Sequence, residues 1–513
     1  MSGYLRRLAT TGAAYTAASI VSKLIAVALL PLYTRYLTPA DYGAAEVMFA
    51  AIVSVSIVVR LGLIESLLRF YYKDGEDPAR VVATSFAALF WLATAAALIA
   101  LPFAEPISEL LLDQPAADLG RIAIGGLWVS TMFEYLLTLF RLEERARAFF
   151  VTTMLSVLSA IGLTVILVVG AGEGARGLLL GSYISGAAFV LGLIWVHRRR
   201  LSLRFERPLL RRLMRFGLPT MPAELSLYGL NFVDRIIIVH AASLREAGLY
   251  SLGVKFAQAV NVLVRGFQLA WPPLAYSIRD DDEARRVYAA VVTLFTAGCA
   301  FVVTGMWLLS RQIVTALAAP RFFDSYEVIG LIATGVTLYA LYMVLVVILG
   351  RTGRTEFNFP ATGAALAANI ALNLILVPPL GIVGAGIALV ASYIVVLALM
   401  YGFTQRLFPV PYEWARLLRV VAVSTTLVLV GELLLPTDGF AGLLARAALW
   451  LLYPLALLAT GFFTSGERAW LARLRHPGEL ARRLRALRPA PAGVDRSVPE
   501  TYEVEQLDED SRL

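Results

Sequence analysis

Lys255, Gln258, Asn261, Arg265 and Gln268 recur every three or four residues inside an apolar stretch, so they form one polar stripe along a helix. Glu224, Tyr228, Asn231 and Arg235 form a second stripe of the same kind. Lys23, Arg60, Glu46, Glu65, Glu134, Asp234 and Glu432 also stand within apolar segments. A charge alone in hydrocarbon costs at least about 2.5–3.5 kcal/mol, so these groups must face water or each other. The stripes predict a water-filled, mostly cationic cleft. Arginine grips phosphate oxygens with a two-pronged fork, so such a cleft suits an anionic substrate. The candidate binding residues are Arg60, Arg265, Arg235, Lys255, Lys23, Asn261, Gln258 and Asn231. The competing reading is that some of these only snorkel or pair structurally, as Glu65 is expected to pair with Arg69.

Asp234 adjoins Arg235 but points about 100° away around the helix, off the cleft stripe. Asn369 and Asn373, spaced i, i+4, share one face of a later helix, and Ser392 lies on the next. With Asp234 they offer hard oxygen ligands for a cation. Asp234 as a proton carrier or as an ion-pair partner are the alternatives. Other groups carry less chemistry. One cysteine, Cys299, permits no disulfide framework, and His197, His240 and His476 are too scattered for a metal site. Asp280–Glu283 reads as an acidic helix start. No phosphate-binding P-loop is present, so direct ATP use is not expected.

The elements that position these residues are membrane helices. The chain of 513 residues is 59% hydrophobic and 16% charged, against about 45–50% and 25% for soluble domains. Ala83–Ala104 and Val151–Gly172 carry no charge, and each is long enough to cross a bilayer. Spans are expected near 10–33, 42–68, 81–103, 120–140, 149–170, 176–196, 214–239, 247–277, 287–309, 325–350, 357–377, 382–404, 414–435 and 441–463. Alternation from a cytoplasmic N-terminus places Arg69/Lys73/Arg80, Arg141/Arg145/Arg147, the cluster Arg198–Arg215, Arg279/Arg285/Arg286, Arg351/Arg354 and Arg406/Arg416/Arg419 inside. The acidic loop Ala104–Gly120 falls outside. The net charge of +8 therefore reports membrane topology rather than nucleic-acid binding. The expected setting is a bacterial inner membrane, with no cleavable signal and both termini cytoplasmic. Residues 467–488 read either as a basic amphipathic helix on the inner leaflet, in contact with membrane lipids, or as a frayed cytoplasmic extension, and 490–513 as an acidic disordered end.

The two halves repeat at an offset of about 205–210 residues. Residues 35–43 recur as 240–248, pairing Thr38 with Ser243, Asp41 with Glu246 and Gly43 with Gly248. Val59 and Arg60 recur as Val264 and Arg265, 73–81 as 279–287, and 174–184 as 384–394. Six helices per repeat give parallel halves related by an axis along the membrane normal, with substrate between them. Arg60 and Arg265 should then face each other. The predicted organisation is an N-lobe over 1–200, a C-lobe over 201–410, two further spans over 411–465 and a tail over 466–513.

Two six-helix lobes plus two extra helices, with the turn Leu37–Gly43 between spans 1 and 2, resemble the polysaccharide flippases of the multidrug/oligosaccharidyl-lipid/polysaccharide (MOP) exporter superfamily. The resemblance implies an all-α transporter, not an enzyme, that moves an undecaprenyl-diphosphate-linked oligosaccharide outward by alternating access. The diphosphate would sit on the basic groups, the sugars in the wet cavity and the tail in the bilayer. It implies glycosyltransferases and a polysaccharide polymerase as partners, and no cofactor beyond sodium or proton coupling. The Asp234, Asn369, Asn373 and Ser392 set resembles the sodium site of some lipid II flippases, with Asn373 replacing an acid and Ser392 a threonine. The alternatives are a lipid II flippase or a multidrug/cation antiporter of the same superfamily. Multidrug members carry an acid on span 1, where this chain has Lys23. A sugar polymerase or ligase is the reading from another class, and the two-lobe repeat argues against it.

Overall fold

The computed structural model describes residues 27–73 and 75–468, with Val21 and Ile25. The described residues are helical throughout, with no strand. Lys23, most of the first expected span and the tail beyond Arg468 lie outside them. The described residues through Pro454 make one compact unit and those from Leu455 a second, short one. Among the described residues, ten helices are long and apolar enough to cross a membrane, as in a multi-pass membrane protein.

The elements are α1 Leu30–Tyr36, α2 Pro39–Arg60, α3 Leu63–Phe70, α4 Pro78–Ala100, α5 Ala104–Leu112, α6 Ala117–Leu142, α7 Ala146–Val165 and α8 Gly174–His197. The linker helix α9 Arg207–Gly217 leads to α10 Met221–Ala241, α11 Leu244–Ala257, α12 Val260–Ser277, α13 Asp281–Leu317, α14 Tyr326–Arg351 and α15 Asn358–Leu407. Last come α16 Trp414–Leu434, α17 Gly439–Leu451 and α18 Tyr453–Ala459.

Local chemistry sets the boundaries. Thr38 caps α2 in a capping box with Asp41, and Pro39 opens the helix. Its repeat counterpart Ser243 caps α11 at the Glu246 amide, and Asp280 caps α13 at the Glu283 amide. The expected span 42–68 is broken: α2 ends at Leu61 and Gly62, both left-handed (φ 48° and 69°), before α3 begins. The break is needed because Gly62 lies flat against the backbone of Gly217. The span expected at 247–277 is likewise two helices, α11 and α12, and the one expected at 214–239 starts only at Met221. Half of the expected outer loop Ala104–Gly120 is helical, as α5. The spans expected at 357–377 and 382–404 are the two arms of α15. Between them Pro378, Pro379 and Gly381 (φ 55°, ψ −135°) turn the chain back, so that Gly384 packs on the Leu376 carbonyl.

Burial separates centre from rim. The most apolar window of α2 is 67% buried, whereas those of the α7 and α16 spans are 17% and 22% buried and present their apolar faces to lipid. One core runs across both lobes and includes Tyr42, Met48, Leu249, Tyr250 and Val328. A second fills the N-lobe around Leu67, Phe86 and Tyr135 and takes in Leu209 and Leu213 of the linker helix. Arg80 to Glu206 and Arg212 to Glu76 fasten that helix to the N-lobe. The acid Glu432 has a structural partner: buried Arg446 holds its carboxylate at 2.8 Å and also donates to the Leu308 and Gly431 carbonyls.

Candidate functional site: a charged cleft between the lobes

The cleft is built where α2 of the N-lobe lies along α10 and α11 of the C-lobe. Arg60, the last residue of α2, is buried and fully engaged. Its Nη1 is 2.6 Å from Glu134 on α6, its Nη2 is 3.2 Å from Glu224 on α10, and its Nε donates to the Ser56 carbonyl. Helix ends favour this arrangement, since Arg60 sits at a C-terminus and Glu224 in a first turn.

Glu46, four turns nearer the start of α2, does the same for two other cations. Its Oε1 is 2.9 Å from Lys255 Nζ, and its Oε2 is 3.9 Å from Arg235 Nη2. Arg235 Nε also donates to Ser251 Oγ at 3.1 Å. A cavity of about 210 Å³ opens beside this cluster, lined by Tyr33, Tyr42, Glu46, Ser182 and Lys255 among others.

Arg265 differs from its repeat counterpart Arg60. It is exposed and has no ion-pair partner among the described residues. It shares electrostatic range of Tyr228 with Arg60, Glu134 and Glu224, and also reaches Tyr339. The two arginines therefore serve one neighbourhood, but unequally. Gln258 and Asn261 flank the α11–α12 break and are half-buried. The Asn231 side chain lies outside the described atoms, as does Lys23.

The mostly cationic cleft expected from the stripes is in fact charge-balanced in its described part. Periodicity found the cations but not Glu46, Glu134 and Glu224 as their partners. The expected Glu65–Arg69 pair is also absent among the described residues: Arg69 stands 4.3 Å over the Phe216 ring.

Asp234 is fully buried away from this cleft. It accepts from Tyr250 Oη and Asn373 Nδ2, each at 2.8 Å. Asn369 lies within reach of its carboxylate, and the Oδ1 atoms of Asn369 and Asn373 have no hydrogen-bond partner among the described residues. Buried polar atoms are rarely left so. Two amide oxygens and a carboxylate with spare acceptor capacity match the needs of a hard cation. Ser392 is buried and donates to the Ala388 carbonyl at 2.5 Å. Tyr250, which sequence reasoning missed, completes the group from the α11 face opposite Lys255.

The chain is 25% identical over 313 residues to the succinoglycan biosynthesis transport protein ExoT of Rhizobium meliloti (strain 1021). That match covers 59% of this chain and 61% of the relative's length. Its fold is shared with the lipid II flippase MurJ in an inward closed conformation, at TM-score 0.67 and 14% identity, over 87% of this chain and 98% of that one. An inward-facing multidrug resistance MATE transporter of the MOP superfamily follows at TM-score 0.62 and 16% identity, over 75% and 95% of the two chains. These relatives are transporters and a flippase, not enzymes. Residues 32–327, more than half of the sequence, match the family described as polysaccharide biosynthesis protein, and the chain belongs to that family.

Proposed function

We propose that the protein moves an undecaprenyl-diphosphate-linked oligosaccharide from the cytoplasmic to the outer leaflet of a bacterial inner membrane, with both termini cytoplasmic, by rocking its two lobes about the cleft. The observation that carries this reading is Arg265, an exposed guanidinium in the cleft with no ion-pair partner among the described residues. Such a charge needs an anionic guest or water, and its fork fits phosphate. Gln258 and Asn261 add amides suited to sugar hydroxyls. The basic, leucine-interleaved sequence of residues 467–488 is proposed to contact membrane lipids. A glycosyltransferase must supply this substrate inside and a polymerase consume it outside, so these are its proposed partners.

Cation coupling is proposed at Asp234, Asn369 and Asn373, with Ser392 nearby in sequence order. Sodium would neutralise the buried carboxylate and take up the amide oxygens of Asn369 and Asn373, whereas a proton would neutralise the carboxylate alone. A lipid II substrate is the second reading, since it presents the same diphosphate. A cationic drug is disfavoured by Arg265.

The test is transbilayer movement of labelled undecaprenyl-diphosphate oligosaccharide in proteoliposomes, with Arg265→Ala alongside. Movement that collapses in the variant supports the reading. Equal movement in both discards Arg265 as the site, and movement of cationic drugs alone overturns the function.

A further inference from the structure

Each nitrogen of the Arg60 guanidinium makes one contact: Nε donates to the Ser56 carbonyl, Nη1 pairs with Glu134 and Nη2 with Glu224. The guanidinium is 6% exposed, whereas Glu134 and Glu224 are 53% and 31% exposed. The carboxylates thus stand between the arginine and the cleft water. Glu65 lies in electrostatic range of Glu224. A phosphate cannot simply be added at Arg60, because the guanidinium is almost wholly buried behind the two more exposed carboxylates. To reach Arg60 it must displace a carboxylate.

The geometry distinguishes the two candidates. Glu134 belongs to the same lobe as Arg60 and is the closer, at 2.6 Å. Glu224 reaches across from the other lobe at 3.2 Å. It sits in the first turn of α10, where the helix end continues to favour its charge once Arg60 is gone. Gly62 and Gly217, packed backbone to backbone, hold the end of the linker helix against the N-lobe just before α10 begins, so Glu224 enters the cleft from a fixed point.

We propose that Glu224 is a built-in stand-in for the substrate's phosphate: it occupies Arg60 Nη2 in the empty cleft and is exchanged for a phosphate oxygen, so that loading the site unties the lobes there. This deepens, and rests on, the anionic-lipid reading above. It makes Glu224 a specificity-determining residue, since only a guest of comparable charge competes with a carboxylate for the guanidinium. A neutral glycolipid leaves the tie in place.

The experiment uses the full chain in lipid nanodiscs, with spin labels at Arg147→Cys in the N-lobe and Glu283→Cys in the C-lobe. Inter-label distances and affinity for undecaprenyl-diphosphate oligosaccharide are measured. In Glu224→Gln, we expect the distance distribution to shift without any lipid, and affinity to rise by about tenfold, the scale of one charge-assisted contact. Glu134→Gln removes a same-lobe carboxylate and is expected to leave the lipid-free distances unchanged. The wild type supplies a test that needs no cleft variant: the diphosphate lipid shifts its distances, and a neutral undecaprenyl glycolipid does not. Unchanged distances and affinity in Glu224→Gln, or an equal shift in Glu134→Gln, overturn the exchange while wild-type lipid transport still stands. A wild type that neither binds nor moves the diphosphate lipid overturns the proposed function itself.

Discussion

Gly43 and Gly248 occupy equivalent places in the two repeats and meet backbone to backbone. A methyl at Gly43 would strike the Leu244 carbonyl and come within 2.8 Å of the Gly248 nitrogen, and one at Gly248 would strike the Pro39 carbonyl. In the proposed two-lobe arrangement the repeat axis would pass between them, at the end of the bundle proposed to face outside, and the contact would close that end. Gly43→Ala or Gly248→Ala should cost the closed state about 1–3 kcal/mol, as overpacking does. A cysteine placed at buried Ala44 should then become reactive to a membrane-impermeant maleimide added outside, and transport should fall.

The two repeat-related arginines should respond differently to truncation. Arg60→Ala removes a buried guanidinium with three contacts but leaves Glu134 and Glu224 in reach of cleft water, so the cost should fall below the about 3–5 kcal/mol of a fully buried pair. Its thermal unfolding midpoint should drop clearly. Arg265→Ala removes no described contact, so the midpoint should hold while transport is lost. Arg265→Lys should recover only part of that transport, because a point charge does not reproduce a planar fork.

Glu46 should behave as the shared partner of Lys255 and Arg235. Glu46→Gln should destabilise the protein, chiefly by taking the carboxylate from Lys255, and by less than the about 3–5 kcal/mol of a fully buried pair because Lys255 is 32% exposed. Lys255→Met in the Glu46→Gln background should restore part of that loss. A double-mutant cycle on thermal stability reads the coupling, expected at about 0.5–3 kcal/mol. Additive losses would mean that the 2.9 Å contact contributes nothing.

Sodium at saturating concentration should raise the unfolding midpoint of the wild type if Asp234, Asn369 and Asn373 hold it, because a ligand that binds only the folded state stabilises it. Asp234→Asn should abolish the sodium increment and the coupled transport together. A midpoint indifferent to sodium, with transport that follows a pH gradient and is lost in Asp234→Asn, would assign the carboxylate to protons instead.

Much of the fold is written in local patterns. Apolar length marks the spans, Thr38 with Asp41 and Ser243 with Glu246 mark the helix starts, and Pro378 through Gly381 marks a reversal. The Asp234 group is legible too, since a helical offset of one residue takes it off the cleft stripe and an i, i+4 pair of asparagines awaits it. The pairings of Arg60 are not legible. Its partners are on α6 and α10, far along the chain, and periodicity gives the face a side chain occupies without saying what stands opposite. The broken spans escape for a related reason. The interruption at Leu61 and Gly62 answers to Gly217, a backbone neighbour that no local pattern announces.

The Glu46 contact also bears on how the chain is made. Glu46 enters the membrane with the second span, long before Arg235 and Lys255 have been synthesised. In that interval the carboxylate is unpaired, at a cost of about 2.5–3.5 kcal/mol if it lies at mid-membrane. The N-terminal half is therefore an unfinished object that its later half completes. Expressed alone it should be turned over quickly by membrane proteases, and a separately expressed C-terminal half beginning at the linker should rescue it, unless Glu46→Gln already has.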